Sequence, residues 1–323
     1  MLRSIMIFIV CAIVLSQSII ETVTKNTCIS HDSYDAILHP KSTVKRPEAK
    51  VRWAIIALAR PEGAELQQRN SQLMEKIRKY SHLHNITIVL FSEKKFPSGA
   101  LERYEENFRD IGAVRLVDTS KNGFNGADRY GYKYMCKFFA IDVYEYLKDD
   151  YDYYMRCDTD CYINEMDYDI FQWALDNHVS YGFSMRKIEA HRPTRDTLPT
   201  WTEKYMQKCN LQATALMDAP LKTCFNFYNN FHIGNVLFFL RPDVQHFLNA
   251  VNTSGHIQSD RWGDSTIQAY AVRLFMNPAE IVQVPNFSYV HGSHNNRVVS
   301  TFGDGHLTTV PQRLPNWKYN PPL

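Results

Sequence analysis

The sequence predicts an α/β fold: a mostly parallel sheet covered by helices on both faces. Three observations carry that expectation. Short apolar runs alternate with stretches of helical periodicity, the pattern of a parallel sheet with crossover helices. The run at 51–58 is apolar almost throughout and reads as a buried strand. The acidic triplet Asp158-Thr159-Asp160 stands directly after a strand-like aromatic run, where sheets of this class bind their ligands.

The globular body begins at Val51, and 51–58 is its first strand. Residues 62–82 read as a polar amphipathic helix and 86–91 as a second strand. A helix at 101–108 and a short strand at 114–117 follow. The Gly- and Asn-rich stretch 121–131 is a loop. Residues 132–147 resume as a helix with an aromatic face, 153–156 as a strand and 169–176 as a helix. Apolar strands are expected at 181–185 and 234–240, and helices at 243–251 and 266–275. Residues 189–224 carry poor strand signals and are expected to form helices and loops near the mouth of a site. No repeat, second domain boundary or low-complexity tract is present.

The N-terminus is of another kind. Arg3 precedes an apolar stretch over 5–15, followed by Ser16-Gln17-Ser18-Ile19-Ile20 and Glu21. It is either a signal peptide cleaved near Ser18 or an uncleaved signal anchor. As an anchor it is slightly short of the ~20 residues a bilayer needs, which thin early secretory membranes accommodate. The charge ahead of it favours a cytoplasmic tail and a lumenal body. The expected organisation is a tail at 1–4, the apolar segment at 5–20, a Thr-, Ser-, Lys- and Pro-rich stem at 21–48 and a lumenal domain at 49–323.

Asn85-Ile86-Thr87, Asn252-Thr253-Ser254 and Asn286-Phe287-Ser288 are N-glycosylation acceptors, in keeping with the secretory route. Beyond Cys11, six cysteines remain (Cys28, Cys136, Cys157, Cys161, Cys209 and Cys224), an even set that fits disulfides in an oxidising lumen. No His or second Cys pair stands at zinc-site spacing around Cys157 and Cys161. The net charge is +2 with no dense Lys/Arg block, which argues against nucleic acid as a partner.

Asp158 and Asp160, one residue apart on extended backbone, project to the same side. They can hold one hard divalent cation and leave its other positions to water and phosphate oxygens. Around them stand Tyr153-Tyr154-Met155-Arg156, then Asp167-Tyr168-Asp169-Ile170-Phe171. Upstream is Tyr132-Lys133-Tyr134-Met135-Cys136-Lys137-Phe138. Downstream are Phe231-His232-Ile233-Gly234-Asn235, Arg261-Trp262-Gly263-Asp264 and Tyr289-Val290-His291.

This order and spacing resemble the fungal-type α-1,2-mannosyltransferases of glycosyltransferase family 15, from about Val51 to His291. The most specific parts are Y-x-x-M-C-x-F, the Y-Y-x-R strand with its D-Y-D-x-F, and R-W-G-D. The resemblance implies a GT-A fold, GDP-mannose as donor, manganese, a glycan or glycoprotein acceptor and retention of anomeric configuration. It also implies a type II Golgi membrane protein that extends mannose chains. Asp158 then stands where the family usually has Glu, close to metal and diphosphate, and Asp160 completes a D-x-D. His291 matches a metal-contacting His, and Asp264 a carboxylate near the donor. Arg60, Tyr132 and Lys137 fall in segments lining the nucleotide pocket.

One departure stands out. His232 occupies the place of a family Glu proposed as nucleophile or stabiliser of the reacting sugar, and a neutral imidazole is a poor carboxylate substitute. The reaction then uses front-face attack, another carboxylate or a different sugar, or the chain is a non-catalytic carbohydrate-binding relic. A retaining transferase for another nucleotide-sugar is the rival within enzymes.

Each residue also has an ordinary structural reading. Asp264 can cap a helix, His291 and His232 can be hydrogen-bonded structural histidines, and Lys137 can be solvated. Tyr130, Tyr134 and Trp262 can be core. Gly234 and Asn235 can serve close strand packing.

Overall fold

The computed structural model describes residues 50–59, 75–120, 131–159, 161–215, 217, 219–291 and 297–301, the side chains of Tyr162, His291 and 297–301 excepted. Seven strands make the main sheet. In chain order they are β1 (Arg52–Leu58), β2 (Asn85–Ser92), β3 (Ala113–Asp118), β4 (Tyr153–Cys157), then β6 (Tyr181–Phe183), β9 (Phe231–Asn235) and β10 (Ile281–Gln283). Their spatial order is β10-β6-β9-β4-β1-β2-β3. The pairings β1·β2, β2·β3, β1·β4 and β6·β10 are parallel, while β9 runs antiparallel to both β4 and β6. The sheet is therefore mixed and mostly parallel, as expected.

Alternation along β1 explains why both faces are covered. Ala54 and Ile56 point into one core layer with Tyr154, Phe138 and Phe139, whereas Trp53, Ile55 and Ala57 point into the other with Met155, Phe171, Phe231 and Ile233. The first layer is closed by α2 (Gly131–Lys137), α3 (Val143–Leu147), α6 (Val236–Leu240), α7 (Pro242–Thr253) and α9 (Asp264–Phe275). The second is closed by α1 (Ala100–Phe108) and α4 (Ile170–Asp176). Helices α5 (Arg192–Cys209) and α8 (His256–Ser259) also pack against the first layer. Two small sheets flank the main sheet, β12-β11-β5 from Cys161–Glu165 (β5), Phe287–His291 (β11) and Arg297–Thr301 (β12), and β7-β8 from Arg186–Ile188 and Phe225–Phe227.

Several expectations change. The apolar run 234–240 is not one strand: β9 ends at Asn235 and α6 follows at once. The Asn235 side chain accepts from the Phe238 N–H at 3.2 Å and caps that helix, a switch that a short apolar run does not reveal. The helix expected over 132–147 is broken by a π-helical turn, Phe138–Asp142. The 189–224 stretch, by contrast, is as expected: it holds the 18-residue helix α5, which tolerates Pro199 in its interior, and loops, with β7 and β8 just outside its two ends. Of the helix expected at 62–82, residues 75–81 are helical and the rest lies outside the described residues, as do 121–130 and the apolar segment 5–20.

The full pairing of six cysteines is not realised. Cys136, Cys157, Cys161 and Cys224 are buried and not disulfide-bonded, while Cys209 is disulfide-bonded. Cys157 and Cys161 lie in one core layer and Cys224 in the other. No helix among the described residues is long and apolar enough to cross a membrane.

Gly234 shows how tightly β4 and β9 pack. It pairs with Tyr154, and a Cβ added there would lie 2.4 Å from the Tyr154 ring. Gly234→Ala is expected to destabilise the fold by about 1–3 kcal/mol through overpacking. The midpoint of urea unfolding measures this.

Candidate functional site

Strand β4 carries Tyr154 and Arg156 on one face of the sheet, and Asp158 follows in the same alternation. Arg156 is 3 % exposed. Its Nε donates to Asp158 Oδ1 at 2.7 Å and its Nη2 to Asp158 Oδ2 at 3.1 Å. Its Nη1 donates to Asp264 Oδ2 at 2.5 Å. The guanidinium lies over the Phe139 ring, 3.7 Å from the centroid. Burial works against its charge, but the Asp158 and Asp264 carboxylates outweigh that and raise its pKa. One cation thus joins the turn after β4 to the start of α9.

The turn between β8 and β9 supplies two amides. Asn229 Nδ2 donates to Asp264 Oδ2 at 2.8 Å, and Asn230 Nδ2 to Asp158 Oδ2 at 3.2 Å. The Asp158 N–H donates to the Asn230 carbonyl at 2.9 Å. Because β9 is antiparallel to β4, its beginning meets the end of β4, which brings these asparagines to the carboxylates. Cys136, on α2, hydrogen-bonds with both the side chain and the backbone N–H of Asp264, and burial pushes its thiol up. Asp264 is not the cap of α9: Gly263 holds that position, and Asp264 sits in the first turn with its carboxylate turned to Arg156 and Asn229.

His232 lies directly across from Arg156 in the β4·β9 register and is fully buried. Its Nδ1 is 3.1 Å from the Asn229 carbonyl and its Nε2 is 3.0 Å from the Tyr154 hydroxyl. Both ring nitrogens are engaged, leaving none to present to a ligand. Burial, and then the Arg156 charge, lower its pKa to about 3. The other predicted residues spread outward. Tyr132, 46 % exposed, carries the Arg261 guanidinium 4.4 Å from its ring centroid. Lys137 pairs with Asp142 at 2.6 Å, across the π-helical turn, so its charge is directed to its own helix. Trp262 is core, donating from Nε1 to Thr197 Oγ1 at 2.8 Å, and Tyr134 packs against the same layer.

Arg60, Tyr130 and Asp160 lie outside the described residues, as does the side chain of His291. The His291 backbone is placed: it pairs with Cys161, the first residue after the acidic turn. Among the described residues no group of three metal-ligating side chains converges. Asp158 is suited as an oxygen ligand, being a half-buried carboxylate held in place by Arg156 and Asn230.

Sequence reasoning missed Arg156, Asn229, Asn230 and Gln268. Arg156 was discoverable: the same two-residue period that pairs Asp158 with Asp160 puts Arg156 on their face. Gln268 Nε2 donates to the Phe139 carbonyl and to the Tyr144 hydroxyl, both at 3.0 Å. No local signal announces that role.

A mixed sheet with the acidic turn at the end of its central strand defines a GT-A glycosyltransferase fold, and solved structures agree. The mannosyltransferase Ktr4p from S. cerevisiae superposes with a TM-score of 0.66 at 16 % identity, covering 89 % of each chain. Core-mannan synthase A from Aspergillus fumigatus, in a Mn/GDP form, gives 0.64 at 20 % identity over 77 % of this chain and 76 % of that one. The profile of the glycolipid 2-alpha-mannosyltransferase family matches residues 108–301, and the chain belongs to that family. Relatives include the probable mannosyltransferase MNT3 of Candida albicans, 30 % identical over 173 residues (51 % of this chain, 45 % of the relative). Alpha-1,2 mannosyltransferase KTR1 of Saccharomyces cerevisiae is 28 % identical over 174 residues (51 % and 44 %). The chain spans about half the length of the curated relatives it matches.

Two outcomes are expected of this site. Arg156→Ala leaves two carboxylates uncompensated around a cavity and should cost about 3–5 kcal/mol in urea unfolding. His232 stays neutral when folded but is protonated in the unfolded chain below its ordinary pKa. Stability should therefore fall as pH drops from about 6.5 towards 3, with a slope of up to about 1.4 kcal/mol per pH unit from this group. His232→Gln should remove that one-proton slope, read from unfolding midpoints across the range.

Proposed function

We propose that the chain is a manganese-dependent glycosyltransferase. It moves mannose from GDP-mannose to a mannose-containing glycan or glycoprotein, making an α-1,2 linkage with retention. The observation that carries this reading is the meeting of three family motifs at one carboxylate. Arg156 of Y-Y-x-R grips Asp264 of R-W-G-D, and Cys136 of Y-x-x-M-C-x-F lies against the same side chain. The Mn/GDP form of core-mannan synthase A supports the choice of metal and nucleotide.

Asp158, Asp160 and His291 would hold the manganese, which when bound offsets the negative charge of the departing diphosphate. Arg156 fixes the Asp158 and Asp264 carboxylates against each other, so that no reorganisation is needed as charge develops. The buried wall of Phe139, Cys136 and His232 keeps water from the cluster. With a neutral imidazole at position 232, transfer proceeds on one face of the sugar. The acceptor oxygen bonds to the anomeric carbon as its bond to the diphosphate breaks, and the acceptor proton passes to the departing diphosphate oxygen.

The N-terminal segment is proposed to hold the chain in the Golgi membrane with its body in the lumen. The exposure of Asn85, Asn252 and Asn286 supports a glycosylated, lumenal body. Expression through a secretory pathway should add up to three N-glycans, seen as a mass decrease on peptide-N-glycosidase treatment. An unglycosylated product would count against that location.

Purified chain with MnCl2 should transfer mannose from GDP-mannose to α-mannosides, and Asp158→Asn should reduce turnover on the order of 10²–10³-fold. Transfer from a different nucleotide-sugar would replace the donor assignment. GDP binding with no turnover across donors, metals and acceptors would make the chain a binding relic of the fold.

A further inference from the structure

We propose that His232 is a positioning residue: it is the middle of a buried hydrogen-bond chain from Tyr154 through Asn229 to Asp264, and it forms no bond to the sugar. This rests on the transferase reading above and assigns the role of one residue in it.

The direction of each bond follows from chemistry. A backbone carbonyl only accepts, so the Asn229 carbonyl at 3.1 Å fixes the proton of His232 on Nδ1. The Nε2 lone pair then accepts from the Tyr154 hydroxyl at 3.0 Å. Burial raises the Tyr154 pKa, which keeps that hydroxyl a donor. Asn229, held by its carbonyl, presents Nδ2 to Asp264 Oδ2 at 2.8 Å. Asp264 Oδ2 also takes Arg156 Nη1, and Arg156 reaches Asp158. Five links therefore join the core of the sheet to the acidic turn.

The packing around the imidazole supports the same role. Tyr181 stacks on it with centroids 5.4 Å apart, and Tyr154 meets it edge-on at 5.3 Å. Its exposure is 0 %, so neither face is open to a substrate. Gly234, two residues on, completes the arrangement: only without a Cβ can the Tyr154 ring lie where its hydroxyl reaches Nε2. The segment Phe231-His232-Ile233-Gly234-Asn235 thus encodes both the imidazole and the space for its donor.

A carboxylate at this position would work against the arrangement. It has no proton for the Asn229 carbonyl. Lying across from Arg156 on the same face of the sheet, it would draw the guanidinium from Asp158 and Asp264.

The test combines a structural and a kinetic readout on the full chain. Nitrogen NMR of ¹⁵N-histidine-labelled protein should show one ring as the neutral Nδ1–H tautomer throughout about pH 5 to 8, where an ordinary histidine titrates. That signal should vanish in His232→Gln. His232→Glu and Tyr154→Phe should each lower kcat about 10- to 100-fold, with GDP affinity in MnCl2 changed less than about threefold. Titration of the His232 ring in this range, or a His232 proton on Nε2, overturns the proposal. So does faster mannosyl transfer by His232→Glu. If the wild-type chain turns over no nucleotide-sugar, the transferase reading fails while the NMR signal still decides the hydrogen-bond chain. If the variants do not fold, the wild-type spectrum decides it as well.

Discussion

The site depends on a buried guanidinium placed between two carboxylates. A lone arginine at 3 % exposure would be prohibitive, because the loss of hydration is not recovered from apolar neighbours. Arg156 is tolerable because Asp158 and Asp264 both reach it, at 2.7 and 2.5 Å, and because the Phe139 ring offers its negative face. Those partners in turn need the fold around them. Asp158 has to follow the central strand, Asp264 has to open α9, and both helix and strand have to end at the same edge of the sheet. The carboxylate lone pairs that Arg156 leaves over are shared by Asn229 and Asn230, which an antiparallel β9 delivers to that edge. Mixed topology is thus a requirement of the charge arrangement and not an ornament of it.

His232 belongs to the same electrostatic economy. Replacing a carboxylate by a neutral ring across from Arg156 leaves the guanidinium fully committed to Asp158 and Asp264. The imidazole is charge-neutral because burial and the neighbouring cation both disfavour its protonation. A residue that looked like damage to a reaction centre from its sequence position is, by its bonding, a satisfied component of the wall behind it.

How much of this was legible in the sequence divides along physical lines. Apolar runs long enough to cross a sheet declared themselves, so β1, β2 and β4 stand where they were expected. Three-residue strands such as β7, β8 and β10 carry too few residues for any periodicity, and they were missed. The change from β9 to α6 turns on a single Asn235 cap inside an unbroken apolar run. In the site, the place of Asp158 after β4 was readable from the strand-like run before it. The partners of His232 were not, since Tyr154 is separated from it by 78 positions and only strand register joins them. Cysteine parity misled for a related reason: a count says nothing about which side of a sheet each thiol faces.

The π-helical turn at Phe138–Asp142 has a consequence for how the chain can vary. Five positions apart on a regular helix, Lys137 and Asp142 would point about 140° away from each other. The widened turn brings them together at 2.6 Å. It also sets the angular phase between Cys136, which touches Asp264, and Tyr144, which receives Gln268. Both partners sit on α9. Dropping one residue from the turn would restore an ordinary helix yet rotate one contact about 100° from the other. The length of the segment is therefore locked to a neighbouring helix more than a hundred residues further along the chain.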